Sequence, residues 1–316
     1  MSDSQKLIKI PDLSGASKLE KLIIQNCTRL YKIHASVGDL KKLVQLDLKG
    51  CKNLSSLPNT TCSLMSLKTL NLCDCSRLVK LQENLGNLEG LKELNVSGTA
   101  IRLSLSLKNL KNLSIGGHAF LLFKNLLNFP LLQRRSPDPM AMSRLMCVLS
   151  CLSCLTKLNL SYCNLREVPN VIGCFSSLRG LDLSGNSFVC LPKNISQLSK
   201  LDYICLCGCT DLQLLPELPL NISHVDVQGC TSLETLIIRP EDDFRPHLHL
   251  LNCIKLIDNQ GYGDILLKML IHYIQVSLFL LSPLSFFFSL SLSSKHLHFY
   301  VSDPRYISQI YSYSWK

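Results

Sequence analysis

The sequence predicts an α/β solenoid of horseshoe type. Short strands form a parallel sheet on the concave side, and short 3₁₀ or helical turns cover the convex side. Three observations carry this. First, LTKLNLSYC, LRGLDLSGN and LDYICLCGC, starting at Leu155, Leu178 and Leu201, follow one template, L-x-x-L-x-L-x-x-N/C. Second, they recur every 23 residues, the spacing of a leucine-rich repeat. Third, further copies start at Leu19 (LEKLIIQNC), Leu43 (LVQLDLKGC), Leu67 (LKTLNLCDC), Leu91 (LKELNVSGT) and Ile222 (ISHVDVQGC), with a weaker one at Leu110 (LKNLSIGGH).

Each template position has a physical task. Side chains alternate along a strand, so positions 4 and 6 enter one interior while 3, 5 and 7 face the groove. Position 1 reaches that interior from the preceding turn. Position 9 turns inward, where an Asn amide or a Cys thiol meets the backbone of neighbouring coils. A single coil cannot bury its apolar face, so coils stack and share a core. The backs carry a second apolar set, such as Val168-Pro169, Ile172 and Phe175, or Leu191-Pro192, Ile195 and Leu198. Proline there disfavours continued pairing and predicts short 3₁₀ turns.

In chain order, residues 1–118 read as repeats with an incomplete first coil. Met1 falls at position 6 and Ser4 at position 9, so the reading frame of the repeat starts mid-coil with an open sheet edge. That phase predicts a piece of a longer protein or a misplaced start. His118 takes the inward slot of the fifth complete coil as a structural residue. Residues 119–154 break the period; Pro130, Pro137 and Pro139 around Arg134-Arg135 predict an inter-repeat insertion loop. Repeats resume over 155–239. Residues 240–275 leave the pattern as the start of a truncated further domain, with a helix over 264–275. The tail, 276–316, opens with VSLFLLSPLSFFFSLSL. This run is short for a membrane span and carries Pro283 and five serines. Its Ser, Leu, Phe and Pro codons are pyrimidine-rich, so it reads as translated intron, aberrant and disordered, rather than as a membrane anchor.

Composition narrows the class. The chain has 316 residues, 47% of them hydrophobic, and 16 cysteines. Six of these (Cys27, Cys51, Cys75, Cys163, Cys209, Cys230) stand at position 9, which predicts a ladder of reduced thiols rather than disulfides. MSDSQKLIKIPD lacks the apolar core of a signal peptide. Asn95 and Asn159 lie in sequons, but inside predicted strands. Residues 1–118 hold 17 Lys and Arg against 9 Asp and Glu, net +8, whereas 155–240 hold 6 against 7, net −1. A basic amino-terminal half suits an acidic partner or simply a solvated face. No aromatic-interleaved basic stripe points to nucleic acid. No phosphate loop, Ser/His/Asp set or paired metal motif points to an enzyme, and no cofactor is expected. Cys151 and Cys154 form a lone CxxC, weak as a zinc signal. Cys205, Cys207 and Cys209 could attract a metal, but two face the groove and one faces the core.

LDLKGCKNLSSLP, LNLCDCSRL, LNLSYCNLREVP and LPKNISQLSKLDYICLCGCTDLQLLPELP resemble the repeat region of plant TIR-type nucleotide-binding leucine-rich-repeat disease-resistance proteins. RRSPDPM is similar to an insertion between repeats in that family, and LLNCIKLIDNQGYGDILLKML resembles the opening of the domain that follows them. The resemblance implies a recognition and switch-restraining role in defense. Its partners would be proteins: a pathogen effector, a host protein guarded by the receptor, or the receptor's own nucleotide-binding domain. It implies no nucleic-acid partner, no membrane, and a cytoplasmic or nuclear location. The family's NAD-hydrolysing and nucleotide-switching domains have no counterpart in this sequence.

Contact with a protein would use the concave face, and the candidates are Lys21, Asp47, Asn71, Asn95, Lys157, Asn159, Tyr162, Asp182, Tyr203 and Asp226. Tyr162 and Tyr203 are the anchors of an otherwise polar surface. The competing readings are a truncated, non-signalling product or decoy, and a membrane-anchored repeat protein using residues 265–292.

Overall fold

A computed structural model describes residues 2–79, 81, 85, 88–101, 109–117, 152–237 and 247–258, with two short strands at Ser291–Ser293 and His296–His298. His118, the insertion up to residue 151, the predicted helix over 264–275 and the apolar run up to residue 290 lie outside the described residues. The chain divides into two units, residues 1–256 and 257–316. In the second, Ser291–Ser293 pairs antiparallel with His296–His298.

The first unit is the predicted coil stack. Its main sheet has ten strands in chain order: Lys21–Ile23, Gln45–Asp47, Thr69–Asn71, Glu93–Asn95, Asn112–Ser114, Lys157–Asn159, Gly180–Asp182, Tyr203–Cys205, His224–Asp226 and His247–His249. All are parallel and in register, so Leu22, Leu46, Leu70 and Leu94 stand side by side. The register survives the insertion, because Leu113 pairs directly with Leu158.

Leucines at positions 1, 4 and 6 form the core: Leu43, Leu46 and Leu48, and Leu178, Leu181 and Leu183, are fully buried. Each such burial contributes roughly 1.5–3 kcal/mol. In the first complete coil, Leu19 and Leu22 are only half-buried. The Asp3 N–H donates to the Gln25 carbonyl, the same bond that Asn26 makes to Lys49. Asp3 is left-handed (φ 61) and so stands beside Asn26 as a position 8 residue does.

The convex side carries 3₁₀ turns at Ala35–Asp39, Asn59–Ser63, Asn170–Cys174 and Lys193–Gln197. Pro58, Pro169 and Pro192 cap three of them in extended conformation, where a missing N–H costs nothing. Short two-stranded pairs, Lys9–Ile10 with Lys32–Ile33 and Leu214–Leu215 with Thr235–Leu236, add to the back. Among the described residues no helix is long and apolar enough to cross a membrane.

At Cys51, Cys75, Asn186, Cys209 and Cys230, position 9 links a coil to the one before, whereas Cys27 and Thr99 bond within their own coils. Sγ of Cys51, Cys75, Cys209 and Cys230 donates to the position 6 carbonyls of Ile24, Leu48, Leu183 and Leu206 at 3.1–3.3 Å. Asn186 does more. Its Nδ2 donates to the Leu160 and Leu183 carbonyls at 3.0 and 2.6 Å, and its Oδ1 accepts from the N–H groups of Cys163 and Leu165, both at 3.0 Å. All the described cysteines are free thiols.

One boundary needs correction. The repeats do not stop at residue 239, because His247–His249 pairs with His224–Asp226. Cys253 Sγ donates to the Val227 carbonyl at 3.1 Å, continuing the thiol ladder. Residues 248–253 (LHLLNC) fit the second half of the template. Arg245 and Pro246, where positions 1 and 2 fall, concealed the coil.

Two outcomes follow from the position 9 contacts. Asn186→Ala strands the buried Leu160 carbonyl and the buried N–H groups of Cys163 and Leu165, while Cys209 Sγ still reaches the Leu183 carbonyl, and it should cost about 3 kcal/mol or more of unfolding free energy in a urea titration. Cys209→Ala, which removes one weak S–H donor, should cost clearly less. Burial also raises the thiol pKa values from the ordinary 9.0 to about 11 at Cys51 and Cys209 and about 12 at Cys75 and Cys163. Unfolded thiols ionise first, so this contribution is complete below pH 9 and is lost as pH rises through about 11–12. Urea midpoints should fall across that window, and less steeply in Cys75→Ala.

Candidate functional site

The candidate face is the concave sheet, and the register arranges it in rows across the coils. The position 3 row runs Lys21, Gln45, Thr69, Glu93, Asn112, Lys157, Gly180, Tyr203, His224. The position 5 row runs Ile23, Asp47, Asn71, Asn95, Ser114, Asn159, Asp182, Cys205, Asp226. Neighbours in a row are about 4.8 Å apart. Nine of the ten predicted residues therefore stand in two adjacent rows; the tenth, Tyr162, follows its strand at position 8.

The two rows differ in what they offer. Position 5 is engaged by the chain itself. Oδ1 of Asp47, Asn71, Asn95, Asn159, Asp182 and Asp226 accepts the N–H two residues on, at 2.9–3.1 Å. This closes the turn at the strand end and explains why short polar side chains recur there. Lateral bonds tie the row further: Gln25 Nε2 donates to Asp47 Oδ2, and Asn159 Nδ2 to Asp182 Oδ2, both at 2.8 Å. Asp47 is buried, and Asn71, Asn95, Asn159, Asp182 and Asp226 are half-buried. By contrast Lys21, Lys157, Tyr162 and Tyr203 are exposed.

Position 8 has a constraint that template reading missed. Its residue is left-handed in coil after coil: Asn26 (φ 55), Gly50 (φ 72), Asp74 (φ 60), Gly98 (φ 68), Tyr162 (φ 55), Gly185 (φ 64), Gly208 (φ 68), Gly229 (φ 73) and Asn252 (φ 63). Gly, Asn and Asp are the residues that tolerate this region. Tyr162 is the exception. It is 66% exposed, its N–H donates to the Ser184 carbonyl at 2.7 Å, and its ring lies against Gly185, where a Cβ would collide with it. The recurrent Gly, Asn or Asp just before the inward residue was the available signal.

The groove between the rows includes a trough of about 680 Å³, whose lining includes Asn71, Glu93, Lys157, Arg179, Asp182 and Tyr203. Glu93 accepts from Asn112 Nδ2 at 2.9 Å. Burial, hydrogen bonding to Cys205 and neighbouring carboxylates all push the Tyr203 hydroxyl pKa upward, so it stays a protonated donor. Sequence reasoning did not single out Arg179 and Asp202, exposed position 2 residues at the edge of this trough. The surface is polar, mixed in charge and marked by two aromatic side chains, and it suits contact with another macromolecule.

Replacing Tyr162 by Gly should therefore cost almost no stability despite loss of the ring, since about 1–2 kcal/mol of backbone strain is relieved. Leu181→Ala, in the core beneath the same sheet, should cost about 2–5 kcal/mol. Urea unfolding of the two variants checks both.

Residues 154–175 and 177–198 match the Leucine Rich Repeat family. The chain is 30% identical over 219 residues to Disease resistance-like protein DSC1 of Arabidopsis thaliana, covering 69% of this chain and 15% of that protein. It is 38% identical over 211 residues to TMV resistance protein N of Nicotiana glutinosa, covering 65% of this chain and 15% of that protein. A solved leucine-rich-repeat protein of Leptospira interrogans is similar at TM-score 0.44 and 21% identity, over 80% of this chain and 68% of that one. The chain thus spans about 15% of the length of these curated relatives.

Proposed function

We propose that this chain, a homologue of plant TIR-type nucleotide-binding leucine-rich-repeat disease-resistance proteins, is a protein-recognition segment of an intracellular immune receptor. It senses a pathogen effector or a guarded host protein, restrains the receptor's nucleotide-binding switch, or does both, by contact and without chemistry of its own. The observation that carries this reading is the concave face. Position 5 holds the turns, while exposed Lys21, Lys157, Tyr162 and Tyr203 stand free of that task on a broad polar groove.

Tyr162 supports the reading most directly. A bulky residue kept in left-handed backbone where Gly, Asn or Asp recurs is a local cost, and such costs collect at functional sites. Exposed aromatic side chains are also the usual energetic anchors of protein interfaces. The ladder of reduced thiols fits a cytoplasmic or nuclear location, where thiols stay reduced.

The test grafts this chain in place of the corresponding repeats of TMV resistance protein N and expresses the hybrid in leaf cells. The unaltered graft should keep the hybrid silent without a trigger. Tyr162→Gly with Tyr203→Ala should weaken co-precipitation of the separately expressed nucleotide-binding segment about tenfold or more. The circular dichroism spectrum of the purified variant should be unchanged. Undiminished co-precipitation would rule out the concave face as the restraining contact.

A further inference from the structure

We propose that Cys205, Cys207 and Asp226 form a binding site for a thiophilic divalent cation of the zinc class on the concave sheet. One ligand atom from each residue lies within 4.8 Å of the other two. The fold explains the convergence. Positions 5 and 7 of one coil point to the same side of the sheet. In-register pairing then sets Asp226, at position 5 of the next coil, beside Cys205. Among the described coils, this one alone has thiols at both positions 5 and 7. Cys209, at position 9, is turned away and donates to the Leu183 carbonyl.

The donor set and its spacing suit the ion. Zinc takes thiolates at about 2.3 Å and carboxylates at about 2.0–2.2 Å, which places tetrahedral donors about 3.6–3.8 Å apart. Sγ of Cys205 and Sγ of Cys207 are 3.3 Å apart, joined by a hydrogen bond. They need to separate by about 0.5 Å, and half-exposed Cys207 has room to do so.

Supporting contacts are already in place. The Gln228 N–H holds Asp226 Oδ1 at 3.1 Å. The Ser184 hydroxyl, anchored on Asp182 Oδ1 at 2.6 Å, lies 3.0 Å from Cys205 Sγ. Such outer contacts orient ligands. Binding replaces the two thiol protons, which leave to solvent, and the ionised carboxylate joins without a proton change. A divalent ion with two thiolates and one carboxylate leaves a net charge of −1. The fourth position faces the groove, open to water or to a donor from a docked protein.

Cobalt(II) titration of the reduced, metal-free full chain tests this. One equivalent should produce tetrahedral d–d bands and a thiolate-to-cobalt charge-transfer band, both displaced by zinc. Cys207→Ser should abolish the charge-transfer band at stoichiometric cobalt. Asp226→Asn should weaken binding about tenfold or more. Cys174→Ser, altering an exposed thiol on a convex turn, should change nothing. Circular dichroism confirms that each variant is folded. A missing band in the unaltered protein, a band that survives Cys207→Ser, or full affinity in Asp226→Asn would each overturn the site.

Discussion

The structure depends on one constraint: no coil can bury its own interior, so every coil completes the one beside it. Leucines at positions 1, 4 and 6 supply the apolar part of that completion. The position 9 side chain supplies the polar part. At Leu48, Leu206 and Val227 the position 6 carbonyl accepts the position 9 N–H of its own coil, and its second acceptor site is directed inward. The next coil's thiol or amide meets it, at Ile24, Leu48, Leu160, Leu183, Leu206 and Val227 alike. Stacking is therefore specified in register as well as favoured, and the sheet passes the 119–154 insertion without a slip.

That constraint also decides which concave positions the fold uses for itself. Position 5 caps the strand end through its own side chain, which is why Asp and Asn recur there. Position 8 reverses the chain through left-handed backbone, which is why Gly, Asn and Asp recur there. A residue free of both duties, or one that violates them, is not accounted for by the fold alone. Lys157 and Tyr203 are of the first kind, and Tyr162 is of the second. Cys205 is a further departure, since it replaces the capping oxygen of position 5 with a thiol that meets a second thiol and a carboxylate.

In this repeat the core and turn positions are constrained while the groove positions vary. The reduced thiols belong to the frame: burial raises their pKa values and holds them protonated against carbonyls, so they act as small buried donors rather than reactive groups.

The sequence by itself determined the solenoid, its parallel sheet, the 3₁₀ backs and the inward thiols, because each follows from a spacing within one coil. Leu155, Leu158, Leu160 and Cys163 announce their strand without reference to anything distant. It also named the groove residues, since alternation along a strand is local. Only the tertiary structure decided what depends on the neighbouring coil. It added the tenth strand at His247–His249, whose template was broken at Arg245 and Pro246 but whose pairing with His224–Asp226 is intact. It placed the Tyr162 ring on Gly185, a contact between residues 23 positions apart. It joined Cys205 and Cys207 to Asp226 across a strand boundary. The repeat template states what each coil must bury, but which groove side chains meet is set by parallel register, a property of two coils together.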